Sequence, residues 1–220
     1  MRWLYLILTT LLFISSCNQK PNQIESSITG QSVAQWPDAV MYEIFVQSFA
    51  DSNGDGIGDI PGMTQKLDYL QDLGIKGIWL MPIMPSPSYH KYDVTDYFGI
   101  HPDYGTMDDF RNFLQEAHNR DIKVVIDMII NHTSNHHPWF VDASSGENAK
   151  YRNYYIWATD EEIEKYSSLE KEATGDSGNL TQWHQASGNM KKYYGFFTGQ
   201  MPDLNFDNPD VRREIIEIAR

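Results

Sequence analysis

Apolar residues gather in three runs, at 40–49 (VMYEIFVQSF), 75–83 (IKGIWLMPI) and 122–130 (IKVVIDMII). Each run is nearly continuous rather than alternating, as expected of strands covered on both faces. Between the runs the period lengthens to that of a helix. Pro61 suits a first helical turn, Met63, Leu67, Leu70 and Leu73 recur on one face, and Gly74 can end the element. Thr106 with Asp109 approximates a capping box, and Phe110, Phe113, Leu114 and Ala117 form the next apolar stripe. Strand, helix, strand, helix, strand predicts βαβ units and a parallel sheet, hence an α/β fold.

The simple repeat fails after the third run. Residues 131–206 separate it from the next helical pattern, and loops of that length are functional or carry structure of their own. The segment is rich in Tyr and Trp, so it reads as an inserted subdomain. Asn208 then suits an N-cap, Pro209 a first helical position, and Val211, Ile215 and Ile218 a new stripe. No glycine cap and no further strand follow in residues 207–220, which read as the beginning of a helix.

The N-terminus carries a different pattern. Arg2 precedes an apolar run at 3–14, and Ser15 and Ser16 lead into Cys17, the only cysteine. This is the layout of a signal peptide, and the run is well short of the ~20 residues that span a bilayer. The ISSC tetrad at its end resembles the bacterial lipoprotein box, which implies lipidation of Cys17, anchoring to a membrane and residence in the periplasm or outer membrane. Residues 18–35 then read as a polar tether. A lone cysteine excludes an intrachain disulfide. Seventeen basic against 30 acidic residues give a formal charge of −13, which repels phosphate backbones and argues against nucleic acid as a partner.

Four segments carry candidate chemistry. Residues 51–59 (DSNGDGIGD) place oxygen donors at alternate positions between glycines, a pattern that folds round a hard cation such as Ca²⁺. Asp51, Asn53, Asp55, Asp59 and the Ile57 carbonyl are the candidate ligands. An EF-hand is excluded, because its twelfth place is Gly62 rather than Glu. Residues 89–97 (YHKYDVTDY) follow the second strand with aromatic faces for stacking on sugar rings and His and Asp for hydroxyls. Asp127, Asn131 and His132 stand at the C-terminal end of the third strand, where polar residues of a parallel barrel face its active site. His132, His136 and His137 lack the helical HExxH spacing that would argue for zinc. The fourth segment, 200–205 (QMPDLN), closes the insertion.

Together these segments resemble the alpha-amylase family, glycoside hydrolase family 13. Residues 127–132 (DMIINH) are similar to its first motif, and 201–205 (MPDLN) to the motif near the end of its domain B. The latter form resembles the group intermediate between oligo-1,6-glucosidases and neopullulanases. The resemblance runs from about residue 36 to 220. It implies the first three βα units of a (β/α)₈ barrel over 36–130, domain B over 131–206, and the next barrel helix beginning at 207. By the same resemblance, His132 stabilises the transition state from the −1 subsite and Tyr92 is the stacking platform there. His90 and Asp93 stand beside it, and Asn131 supports the site, a position that in some relatives also helps to hold a second Ca²⁺. Residues 51–59 become a structural Ca²⁺ loop. Trp139, Phe140, Trp157 and Trp183 read as domain packing.

Retaining glycoside hydrolysis needs a carboxylate nucleophile and a carboxylic acid. The family carries these on strands four and five, and no GFRxD-like segment occurs here. The expectation is an α-glucan- or maltooligosaccharide-processing hydrolase of which this chain supplies the N-terminal portion, inactive by itself. The alternative is a non-catalytic, glycan-binding surface lipoprotein or a truncated pseudoenzyme.

Overall fold

The computed structural model describes residues 39–165 and 182–220. The signal segment, Cys17 and the tether lie outside the described residues. Strands β1 (Met41–Ile44), β2 (Gly77–Leu80) and β3 (Lys123–Ile126) form a parallel sheet in that order. Tyr42, Ile78 and Val124 stand in register on one face, and Glu43, Trp79 and Val125 on the other.

All three strands are shorter than their apolar runs. β1 ends because the chain tightens into a 3-10 turn at Val46–Ser48, where it receives the cation loop instead of a neighbouring strand. Gly58 N–H donates to the Gln47 carbonyl at 2.8 Å and Asp59 N–H to that of Ala50 at 2.9 Å. The approach is so close that a Cβ on Gly58 would lie 2.0 Å from the Val46 oxygen. The ends of the other two runs leave the sheet after single ladder bonds, Met81 N–H to Ile44 O and Asp127 N–H to Leu80 O, each 3.0 Å. They become the loops that build the site.

The first helical pattern forms two short helices, α1 (Ile60–Gln65) and α2 (Leu67–Asp72), broken where Lys66 adopts φ −97° and ψ 3°. Met63, Leu67 and Leu70 are buried, whereas Leu73, expected on the same face, is 53% exposed at the C-cap. Gly74, at φ +85°, closes α2 with the paired bonds Ile75 N–H to Leu70 O and Gly74 N–H to Gln71 O. Helix α3 (Met107–Asn119) starts with a complete capping box, a device worth about 1 kcal/mol. Phe113 and Ala117 from α3 share one core with Ile44, Leu67, Leu70, Ile78 and Leu80. Among the described residues, the opposite face of the sheet is open. Trp79 is 42% and Val125 51% exposed, although the run that forms β3 is apolar enough for burial on both sides.

The insertion has its own core. Helix α4 (Pro138–Ala143) and an antiparallel sheet in the order β4 (Trp157–Ala158), β6 (Lys192–Tyr194), β5 (Trp183–Gln185) gather around Phe140, Tyr155 and Tyr193. Phe140 stacks on Trp157 at an interplanar angle of 5°, Trp139 meets Tyr154 edge-on, and Trp183 meets Tyr194 edge-on, so these aromatics are held in packing contacts. Helix α5 (Pro209–Ile218) is capped by Asn208 and places Val211 and Ile215 in this second core.

His137 caps α4, its ring accepting from Trp139 N–H, and packs between Trp139 and Tyr97. Burial depresses its pKa to about 4, with Asp96 opposing. The unfolded chain takes up this proton near pH 6.5, so the unfolded state binds more protons between the two values and stability rises with pH there. The contribution of neutral His137 is complete above about pH 6.5 and is lost as pH falls toward about 4. Urea midpoints of wild type and His137→Asn, which retains a capping side chain, should diverge at pH 7 and converge at pH 5. Parallel pH profiles would contradict this.

Candidate functional site

The site lies where three segments leave the C-terminal ends of the strands. After β3 the chain runs antiparallel to the outgoing end of the insertion, with backbone pairing of His132 to Asp203 and of Tyr155 to Leu204. Thr133 N–H donates to Pro202 O at 3.2 Å, Asn135 N–H to Gln200 O at 2.9 Å and Leu204 N–H to Asn131 O at 2.8 Å. The loop after β2 joins through Ser134 N–H to Val94 O at 2.9 Å. A cavity of about 380 Å³ opens between these segments, lined by His90, Tyr92, His132, Phe197 and Met201.

Tyr92 is fixed from below. Its hydroxyl donates to Asp127 Oδ2 at 2.8 Å, while Trp79 Nε1 donates to Asp127 Oδ1 at 2.7 Å. Desolvation, reinforced by Asp127, pushes the Tyr92 phenol up to about 12, so it remains a neutral donor. Asp127 is thereby a bracket for Tyr92 and is engaged at both oxygens.

His132 is 4% exposed. Its Nε2 lies 3.2 Å from the Tyr92 carbonyl, which can only accept, so the hydrogen-bond pattern assigns the proton to Nε2. Nδ1 then accepts from the Asn131 amide at 3.3 Å. Desolvation lowers its pKa, against opposing contributions led by Asp203, and keeps the ring neutral at pH 7. Both nitrogens are therefore occupied within the protein. A sugar hydroxyl at this ring must share or displace the Nε2–H bond to Tyr92.

Two expected site residues stand behind the cavity. Asp93 is 2% exposed and turned into the protein, where its Oδ1 accepts from the hydroxyls of Ser86, at 2.6 Å, and Ser88. It braces the loop from behind the residues that line the cavity. Asn131 supports His132. Asp203 lies with them, its pKa raised by desolvation and its Oδ1 accepting from Phe196 N–H at 3.0 Å.

Phe197 and Met201 were not expected. Phe197 is half exposed and meets the His132 ring edge-on, centroids 5.2 Å apart. Its loop is braced by Tyr193 Oη donating to Gly199 O at 2.6 Å and by Gly199 against His184, where a Cβ would lie 2.9 Å from Nδ1. The available signal was an aromatic pair, Phe196–Phe197, five residues upstream of the MPDLN segment.

In the cation loop, Asp51 accepts from the N–H groups of Asn53, Gly54 and Gly56, and Asn53 and Asp55 each close a further turn. These backbone donors lower the pKa of Asp51, Gly56 first. The oxygens of Asp51, Asn53 and Asp55 are exposed and retain lone pairs for a hard cation. Asp59 is buried, and its oxygens accept from Gly62 N–H at the start of α1 and from Ser52. Among the described residues no cluster of three His, Cys, Asp or Glu side chains converges for a metal. Asp51, Asn53, Asp55, Asp59 and the Ile57 carbonyl all belong to this loop, and Asp59 in addition caps the start of α1 through Gly62 N–H.

A second cavity, about 450 Å³, lies in the insertion and includes Arg152, Trp157, Lys191 and Asp207 in its lining. Although larger, it offers no stacking platform of the kind Tyr92 provides. The Arg152 guanidinium sits 3.4 Å over the Trp157 ring, and Phe140 stacks parallel to it.

Comparison with known proteins accounts for this arrangement. The alpha-amylase catalytic-domain model matches residues 43–220. Alpha-amylase 3 of Dictyoglomus thermophilum is 50% identical over 193 residues, covering 88% of this chain and 36% of that protein. Alpha-amylase SusG of Bacteroides thetaiotaomicron is 40% identical over 206 residues, covering 84% and 29%. The crystal structure of the alpha-amylase from H. orenii superposes with a TM-score of 0.71 at 48% identity, covering 82% of this chain and 37% of that one. The chain thus spans about a third of the length of these relatives. Its three parallel strands are those of a (β/α)₈ barrel, and by sequence and by structure the chain belongs to the alpha-amylase family of glycoside hydrolases.

Proposed function

We propose that this chain carries the glucosyl-binding part of an enzyme that processes α-glucans or maltooligosaccharides. The observation behind this is the cavity between Tyr92, His90, His132 and Phe197: a neutral, largely apolar recess with imidazole N–H donors at its wall. That combination suits a sugar ring, which offers C–H faces to aromatic side chains and hydroxyls to directional donors. In this reading Tyr92 stacks on the ring, Phe197 closes the opposite wall, and His132 lends Nε2–H to a hydroxyl as the transition state forms.

Cleavage needs two carboxyl groups acting on the glycosidic bond. Of the carboxylates around this cavity, Asp127 holds Trp79 and Tyr92, Asp93 holds two serines, and Asp203 holds Phe196 N–H. These three serve structural donors, and in this reading residues 1–220 alone bind glucan without cleaving it. Removal of the Tyr92 ring forfeits roughly 1.5–3 kcal/mol of burial, or about tenfold or more in affinity. By titration calorimetry, Tyr92→Ala should weaken maltoheptaose binding by that factor, while Tyr92→Phe, which retains the face, should remain near wild type. Equal affinities for all three would refute the stacking role.

Asp51, Asn53, Asp55 and Asp59 with the Ile57 carbonyl would hold Ca²⁺, which would tie the loop after β1 to Asp59 at the start of α1. Ca²⁺ bound to the native state alone stabilises by mass action. Added Ca²⁺ should raise the melting temperature of wild type but not of Asp55→Ala, and a response preserved in the variant would remove the loop from consideration.

Cys17, preceded by the apolar run at 3–14 and two serines, would be lipidated and would anchor the protein outside the cytoplasm. Wild type should partition into the detergent phase of a Triton X-114 extract of a lipoprotein-processing bacterium, and Cys17→Ser into the aqueous phase. Identical partitioning would rule out the anchor.

A further inference from the structure

The loop that carries Tyr92 and His90 contains an unusual residue between them. Lys91 has φ +66°, one of two non-glycine residues with positive φ among the described residues, and is 5% exposed. A left-handed backbone disfavours a residue with a Cβ and comes freely to glycine, and burial of an ammonium is costly unless it is hydrogen-bonded. Two unfavourable features at one residue need a common cause.

The geometry supplies one. Lys91 Nζ donates to the Ser88 carbonyl at 2.8 Å and lies 5.8 Å from the centroid of the Tyr104 ring. Its backbone N–H donates to Ser88 Oγ at 3.3 Å. Side chain and main chain of Lys91 therefore grip the same residue and close the turn from 88 to 91. The carboxylates of Asp93 and Asp103 act on the ammonium from nearby, and Asp93 is itself tied to Ser86 and Ser88.

What the turn accomplishes is visible on its other side. It brings Tyr92 N–H to His90 Nδ1 at 3.1 Å and sets the two rings 5.9 Å apart at the cavity wall. A backbone N–H can only donate, so Nδ1 of His90 must accept, and in the neutral ring the proton belongs to Nε2. Ser88 Oγ, 3.2 Å from the same nitrogen, has already given its hydrogen to Asp93 and cannot compete as donor.

We propose that Lys91 is a positioning residue for ligand binding: its buried ammonium enforces the left-handed turn that fixes His90 as an Nε2–H donor beside Tyr92. It touches no ligand itself and acts through His90. The inference rests on the carbohydrate reading of the cavity for its ligand, but not for the state of His90, which exists without one.

The test compares the full chain with Lys91→Gly, which permits the turn without enforcing it, and Lys91→Ala, which loses the ammonium and disfavours the turn. Long-range ¹H–¹⁵N spectra of histidine-labelled protein, assigned among the seven histidines by His90→Gln, report the tautomer directly. Wild-type His90 should show one pyridine-like Nδ1 and one pyrrole-like Nε2. In both variants the two shifts should move toward each other, more in Lys91→Ala. Maltoheptaose affinity should fall roughly threefold in Lys91→Gly, where the ammonium is felt by the ligand only through His90, and roughly tenfold in Lys91→Ala, which also strains the turn. Wild-type tautomer and wild-type affinity in Lys91→Gly would overturn the proposal, and this variant decides alone if Lys91→Ala does not fold. If wild type binds no maltoheptaose, the carbohydrate reading fails, and the His90 spectra of wild type and Lys91→Gly still decide the role of Lys91.

Discussion

The pairing of residues 131–135 with 200–204 is the constraint on which the site depends. Without it, the insertion would be a separate small domain attached at the end of β3. With it, the backbone of Pro202 and Gln200 is bonded to that of Thr133 and Asn135, and the outgoing chain must pass over His132. Phe197 and Met201 then stand opposite residues of the loop after β2, far from them in sequence. Buried backbone groups that would otherwise lack partners satisfy one another along this seam, which makes it costly to open.

A second consequence concerns charge. The chain has a formal charge of −13, yet Asp127, Asp93 and Asp203 beside the cavity each accept from a structural donor. The two histidines at the wall share one arrangement, Nδ1 accepting from a neighbouring protein N–H, with the proton on Nε2; that of His132 is given to the Tyr92 carbonyl. Imidazole rings and aromatic faces line the recess, with Met201 beside them.

Much of this was legible in the sequence, because the relevant signals are local. The apolar runs, the Thr106–Asp109 box and the Asn208–Pro209 start mark elements through their own backbone chemistry, and all appear in the fold. What was not legible depended on contacts distant in sequence. The run at 40–49 reads as one strand, but Gly58 pulls residues 46–50 out of the sheet. The contacts of Asp93 with Ser86 and Ser88 were not legible either, because the turn at Lys91 that directs it there leaves no pattern in the sequence. Phe197 had only the Phe196–Phe197 pair to mark it, and nothing near it in sequence says that the chain folds back over His132.

The central claim is that one glucosyl unit occupies the recess between Tyr92 and Phe197. A crystal structure of the full chain grown with maltoheptaose tests it most directly. A sugar ring should stack on Tyr92, with a hydroxyl within hydrogen-bond distance of His90 Nε2 and another drawing Nε2–H of His132 away from the Tyr92 carbonyl. Sugar in the Arg152–Trp157 cavity, with the recess occupied only by water, would contradict it.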